Sequence, residues 1–123
     1  MTRYESDLAV LAEGARLMDR WLDDNVAAAY QGQPLAQDWA RVSKVAEELG
    51  AAIAVLISLT RQYRRQADEG YTIADLIRKL ADVALAGMYA IQHFLKDEGD
   101  QAVALMVERC AEHVRGLPPE PLP

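Results

Sequence analysis

Apolar residues recur at every third or fourth position over four long stretches of this chain, the spacing of helices with one greasy face. The first runs from about Thr2 to Gln31. Leu8, Leu11, Ala15, Met18, Leu22, Val26 and Ala29 make a single stripe, with Glu13, Arg20, Asp23 and Asp24 mostly off it. Thr2 and Glu5 have the spacing of a capping box, in which hydroxyl and carboxylate satisfy the orphan amides of a first turn. Gly32, Gln33 and Pro34 then interrupt the pattern. The second stretch, from about Leu35 to Tyr63, carries Trp39, Val42, Val45, Ala46, Leu49, Ile53, Leu56, Ile57 and Leu59 and becomes apolar nearly all round at its end. A helix of that kind is buried on several sides.

A polar segment, Arg61 to Gly70, separates it from the third stretch, about Thr72 to Lys96, which opens on a second capping box at Thr72 and Asp75. Gly99 and Asp100 mark a turn and a new helix start. The fourth stretch carries Val103, Met106, Val107, Cys110 and Val114 and stops at Gly116. No run alternates with the period of a strand. The expected fold is therefore all-α: a four-helix bundle over residues 1–116, followed by a loose Pro-rich tail, 117–123.

Composition narrows the function. Hydrophobic residues are 51% of 123, enough for one core and too few residues for two. The net charge of −6 argues against general nucleic-acid binding, which needs a surplus of Lys and Arg to neutralise phosphates. The uncharged runs are shorter than the ~20 residues of a membrane span. No secretory signal opens the chain, so a cytoplasmic location is expected. One cysteine excludes an internal disulfide, and two separated histidines make a His-based metal site a weak expectation. Cys110 reads as a buried inert thiol, and His93 as a packing or helix-capping residue. The nearly all-apolar ends of helices two and three point to a homodimer or tetramer.

The chemistry concentrates where acids interrupt two apolar helices. Glu48 and Asp82 each adjoin a buried stripe, so packing of the two helices can bring them together. Paired carboxylates would attract Mg²⁺, a hard cation with oxygen ligands. The same spacing also suits a solvated face, or ion pairs with Lys44 or Lys79. Arg61, Arg64 and Arg65 beside Tyr63 suit phosphate binding and base stacking, or simply a solvated loop at a helix C-terminus.

The order Trp39, Lys44-Val45-Ala46-Glu47-Glu48-Leu49-Gly50, Leu80-Ala81-Asp82-Val83-Ala84-Leu85 and Ala90-Ile91-Gln92-His93-Phe94 resembles the all-α nucleoside triphosphate pyrophosphohydrolases of the MazG-like branch, over roughly residues 35–95. That family's pattern is E-E-x-x-E, a spacer, then E-x-x-D. Acids three apart share a helix face, and two such pairs cage Mg²⁺, which positions a triphosphate for cleavage to a monophosphate and pyrophosphate. The resemblance implies Glu47, Glu48 and Asp82 as catalytic residues, with Glu48 and Asp82 as Mg²⁺ ligands. It also implies Trp39, Lys44, Arg64 and Arg65 as contacts to a nucleotide. Two of the four ligand positions depart from the pattern: they are Ala51 and Lys79, leaving a net −1 where the family has −4. Impaired or lost hydrolysis is therefore expected. The alternatives are a catalytically inactive module that binds a nucleotide or a protein, and an assembly scaffold.

Overall fold

The computed structural model describes residues 2–25, 30–60, 70–96 and 99–119. They form four helices: α1 (Arg3–Asp24), α2 (Pro34–Leu59), α3 (Ile73–Leu95) and α4 (Asp100–Arg115). There is no strand among the described residues. The all-α expectation holds, with ends slightly shorter than the apolar pattern suggests.

Local chemistry accounts for the starts. The Thr2 amide donates to Glu5 Oε2 at 2.8 Å while the Glu5 amide donates to Thr2 Oγ1 at 3.2 Å. Thr72 and Asp75 repeat the arrangement at α3 with the same distances. α2 begins at Pro34 itself, whose fixed φ and missing N–H suit a first helical position. α3 ends on Lys96 in the left-handed region (φ 55°), its amide donating to the Gln92 carbonyl. Gly99 (φ 96°) then turns the chain into α4. A Cβ at Gly99 would lie 2.1 Å from the Ala12 carbonyl oxygen, so only glycine lets this turn touch α1.

α3 is the central element. It packs along α2, and α1 and α4 pack on it and on each other. Ala12 and Ala15 of α1, Met88 of α3, and Ala102 and Val103 of α4 form one core, flanked by Leu85, Tyr89 and Ile91. On α2, Ala52, Val55 and Ser58 are buried. Small residues dominate these seams, which lets the helices approach closely.

α1 and α2, by contrast, bring no described Cα atoms within 8 Å of each other. What joins them is polar. The space between them, floored by α3, holds a cavity. Many large apolar side chains stay outside the core: Leu49, Ile53 and Leu56 of α2 and Ile73, Ile77 and Leu80 of α3 are all exposed in the single chain. The multi-sided burial expected for the ends of α2 and α3 is thus not reached within one copy. Cys110 is also exposed, not buried as the pattern suggested.

Candidate functional site

The cavity between α1, α2 and α3 has a volume of about 350 Å³, within the range of small-molecule sites. Arg41, Lys44 and Glu48 reach it from α2, Asp82 and Tyr89 from α3, and Met18 and Leu22 from α1. The helical register explains the α2 contribution: positions 41, 44 and 48 are three and four apart and so share one face. Leu85, Ala86 and Ala90 complete an apolar floor.

Three of the residues singled out from the sequence, Lys44, Glu48 and Asp82, therefore meet at one site. Lys44 Nζ lies 3.3 Å from Glu48 Oε1 and 3.1 Å from Glu47 Oε1, which realises the ion-pair alternative for Glu48. Hydrogen bonds that the Lys44 ammonium donates to Glu47 and Glu48 hold its pKa above its ordinary value. Glu47 itself points largely to solvent. Trp39 lies at a separate, smaller hollow with Asp38, Val42 and Phe94. Arg64 and Arg65 lie outside the described residues. Neither Ala51 nor Lys79 lines the cavity.

A second polar group adjoins the first through Arg41. It gathers at the end of the bundle where α1 and α3 finish and α2 begins. Arg41 is buried; its Nη2 donates to the Asp19 carbonyl at 3.2 Å and to Asp23 Oδ1 at 2.7 Å, and its Nη1 reaches Asp19 Oδ1 at 3.4 Å. Lys96 Nζ donates to both Asp19 oxygens at 3.0 and 3.1 Å and to Asp23 Oδ2 at 2.7 Å. Burial disfavours the Lys96 ammonium, but the bonds it donates to Asp23 and Asp19 outweigh that, and the pKa is raised. His93, 7% exposed, holds Nε2 2.6 Å from Asp38 Oδ1.

This network was not foreseen in the sequence. His93 neither caps a helix nor simply packs: it is a buried member of a carboxylate cluster. Ligand atoms of Asp19, Asp23 and His93 all lie within 4.8 Å of one another, an arrangement able to hold a metal ion. This donor cluster differs from the Glu48–Asp82 pair expected from the family pattern. A signal was present, since Asp19 and Asp23, Asp38 and Arg41, and His93 and Lys96 are polar pairs at helical spacing.

No protein-family model, characterised protein or solved structure matches this chain. Among the described residues, no helix is long and apolar enough to cross a membrane.

Proposed function

We propose that this chain is a MazG-like relative of the nucleoside triphosphate pyrophosphohydrolases that binds a phosphorylated nucleotide in the α1–α2–α3 cavity without assembling a catalytic Mg²⁺ cluster. The observation carrying this reading is that Glu48, Asp82 and Lys44, drawn from two helices by motif, line the same nucleotide-scale cavity. Arg41 and Lys44 present cationic donors on one wall, suited to phosphate oxygens. Glu48 and Asp82 are acceptors suited to ribose hydroxyls or a base amino group. Met18, Leu22, Leu85 and Tyr89 offer apolar and aromatic surface for the base.

The residues do not fit a Mg²⁺ cluster. Glu48 is engaged by the Lys44 ammonium, and the two further acids of the family pattern are a methyl and an ammonium at Ala51 and Lys79. A like charge about 4 Å from a cation costs on the order of 4 kcal/mol per unit charge at an effective dielectric of 20. No hydrolytic step is accordingly assigned to the chain.

A second reading, an assembly module, is favoured by the exposed Leu49, Ile53, Leu56, Ile73, Ile77 and Leu80. Each set of three recurs at three- and four-residue spacing and so shares one face of its helix, an arrangement suited to a protein interface. A homodimer or tetramer covering it is compatible with nucleotide binding.

Pyrophosphate release tests the first reading. With Mg²⁺ or Mn²⁺ and a panel of standard and modified nucleoside triphosphates, the chain should release none. Robust turnover by the unaltered chain, abolished by Glu48→Gln, would overturn it.

A further inference from the structure

The polar cluster beside Arg41 holds an unresolved contact. His93 is more than nine-tenths buried, and its Nδ1 has no hydrogen-bond partner. Its other nitrogen explains which way the ring is set. Asp38 can only accept when ionised, so Nε2 carries the hydrogen of the 2.6 Å bond. In the neutral ring Nδ1 then bears a lone pair. That lone pair faces Asp19 Oδ1 at 3.8 Å and Asp23 Oδ1 at 3.9 Å. Three electron-rich atoms converge, at separations beyond hydrogen-bond length.

From this we infer that Asp19, Asp23 and His93 form a binding site for one divalent transition-metal ion, distinct from the Glu48–Asp82 cavity, with the Lys96 ammonium standing in for the ion when no metal is bound. Four observations support it. Metal bonds of ~2.0–2.2 Å put tetrahedral ligand atoms ~3.4 Å apart, so the two His93 Nδ1–carboxylate separations of 3.8 and 3.9 Å need contract by only a few tenths of an ångström, and the Asp19 and Asp23 ligand oxygens lie within 4.8 Å of each other. The Asp38–His93 bond is the carboxylate support that orients metal-binding imidazoles and raises their basicity. The charge count also leaves room for an ion. Asp19, Asp23 and Asp38 bring −3, and Arg41 and Lys96 bring +2, so the cluster keeps a surplus of −1 with neutral His93. Replacing the Lys96 ammonium by a divalent ion brings the sum to zero. Finally, Lys96 is displaceable. Its side chain is 46% exposed, at the end of a helix, and can swing into water.

The donor set fixes the class of ion. One imidazole nitrogen with two carboxylate oxygens suits Zn²⁺, Mn²⁺ or Fe²⁺ better than Mg²⁺ or Ca²⁺, which take oxygen ligands alone. A bound ion would tie the end of α1 to the end of α3 next to Arg41, a residue shared with the cavity.

The test is titration of the chelator-stripped chain with Zn²⁺, followed by calorimetry and thermal unfolding, and with Co²⁺, followed by visible absorption. One ion per chain should bind, with Co²⁺ bands and a raised Tm. Lys96→Gln should tighten binding by about tenfold or more, because it removes a competing positive charge. Asp23→Asn and His93→Gln should each weaken it by about tenfold or more. The exposed Cys110 and His113, one turn apart on α4, are the competing surface donors, so Cys110→Ser must leave binding unchanged. Should His93→Gln fail to fold, Lys96→Gln decides by its gain in affinity. Absence of binding in both the unaltered chain and Lys96→Gln, or loss of binding on Cys110→Ser, would overturn the assignment. So would ¹⁵N spectra in which the His93 ring stays an imidazolium, unmoved by Zn²⁺.

Discussion

Replacing Arg41 by methionine should be the most costly polar substitution in this protein. Methionine keeps much of the length and apolar bulk of the side chain and removes the guanidinium. Three contacts then vanish: those to Asp23 Oδ1 at 2.7 Å, to the Asp19 carbonyl at 3.2 Å and to Asp19 Oδ1 at 3.4 Å. The Asp19 side chain is only 9% exposed, so its charge cannot turn to water. Breaking a buried pair by removing one partner costs about 3–5 kcal/mol. Two features lower that figure here. Lys96 still holds Asp19, and Asp23 is about a third exposed. The expected loss is therefore about 2–3 kcal/mol. At a urea m-value of about 1.5 kcal/mol/M, the midpoint should fall by about 1.3–2 M. Protein concentration must be held fixed, since self-association would shift the curve. Lys44→Met, on the same face of α2 but with its own ammonium about half exposed, should cost less than about 1 kcal/mol. Asp23→Asn added to Arg41→Met should return part of the loss. A midpoint for Arg41→Met equal to that of Lys44→Met would refute the view that a buried ion cluster joins α1 to α2.

Other changes probe separate parts of the account. Gly99→Ala should destabilise by about 3 kcal/mol or more in chemical unfolding, because it adds a strained φ to a Cβ driven into the Ala12 carbonyl. The chain should run as a dimer or larger by light scattering at micromolar concentration, and Ile77→Asp should return it to monomer while far-ultraviolet circular dichroism is retained. Asp75 should contribute to the acid limb of stability. Hydrogen bonds from the Thr72 amide and hydroxyl depress its pKa, so its stabilisation is present above the ordinary carboxyl value of 3.8 and fades as pH falls through the lowered folded value. Asp75→Asn should flatten that part of a stability-against-pH curve.

What the sequence reveals follows the range of the forces involved. Capping boxes at Thr2 and Thr72 act over three residues, so their spacing alone locates two helix starts. The shared face of Arg41, Lys44 and Glu48 follows from helical geometry, and the meeting with Asp82 from the motif resemblance. The polar pairs of the His93 cluster stand at helical spacing in the sequence, but their meeting does not. The His93 contacts span 55 residues to Asp38, and those of Lys96 span 77 to Asp19. They depend on α1 ending beside α3, which a helix pattern does not specify. Position 93 also follows an apolar run, so its ring reads as packing. Cys110 was misread for a related reason: its stripe on α4 borders the core at Leu8, Leu11 and Met88 without being covered by it. The same excess of uncovered apolar surface explains why α2 and α3 look more buried in sequence than in the isolated chain.

The central claim is that the cavity lined by Arg41, Lys44, Glu48 and Asp82 takes a phosphorylated nucleotide without Mg²⁺. Calorimetric titration of nucleoside triphosphates in the presence of a chelator, repeated with excess Mg²⁺, tests it most directly. The account predicts saturable binding under both conditions, weakened by Lys44→Met and by Asp82→Asn. Binding that requires Mg²⁺, or no binding under either condition, would contradict it.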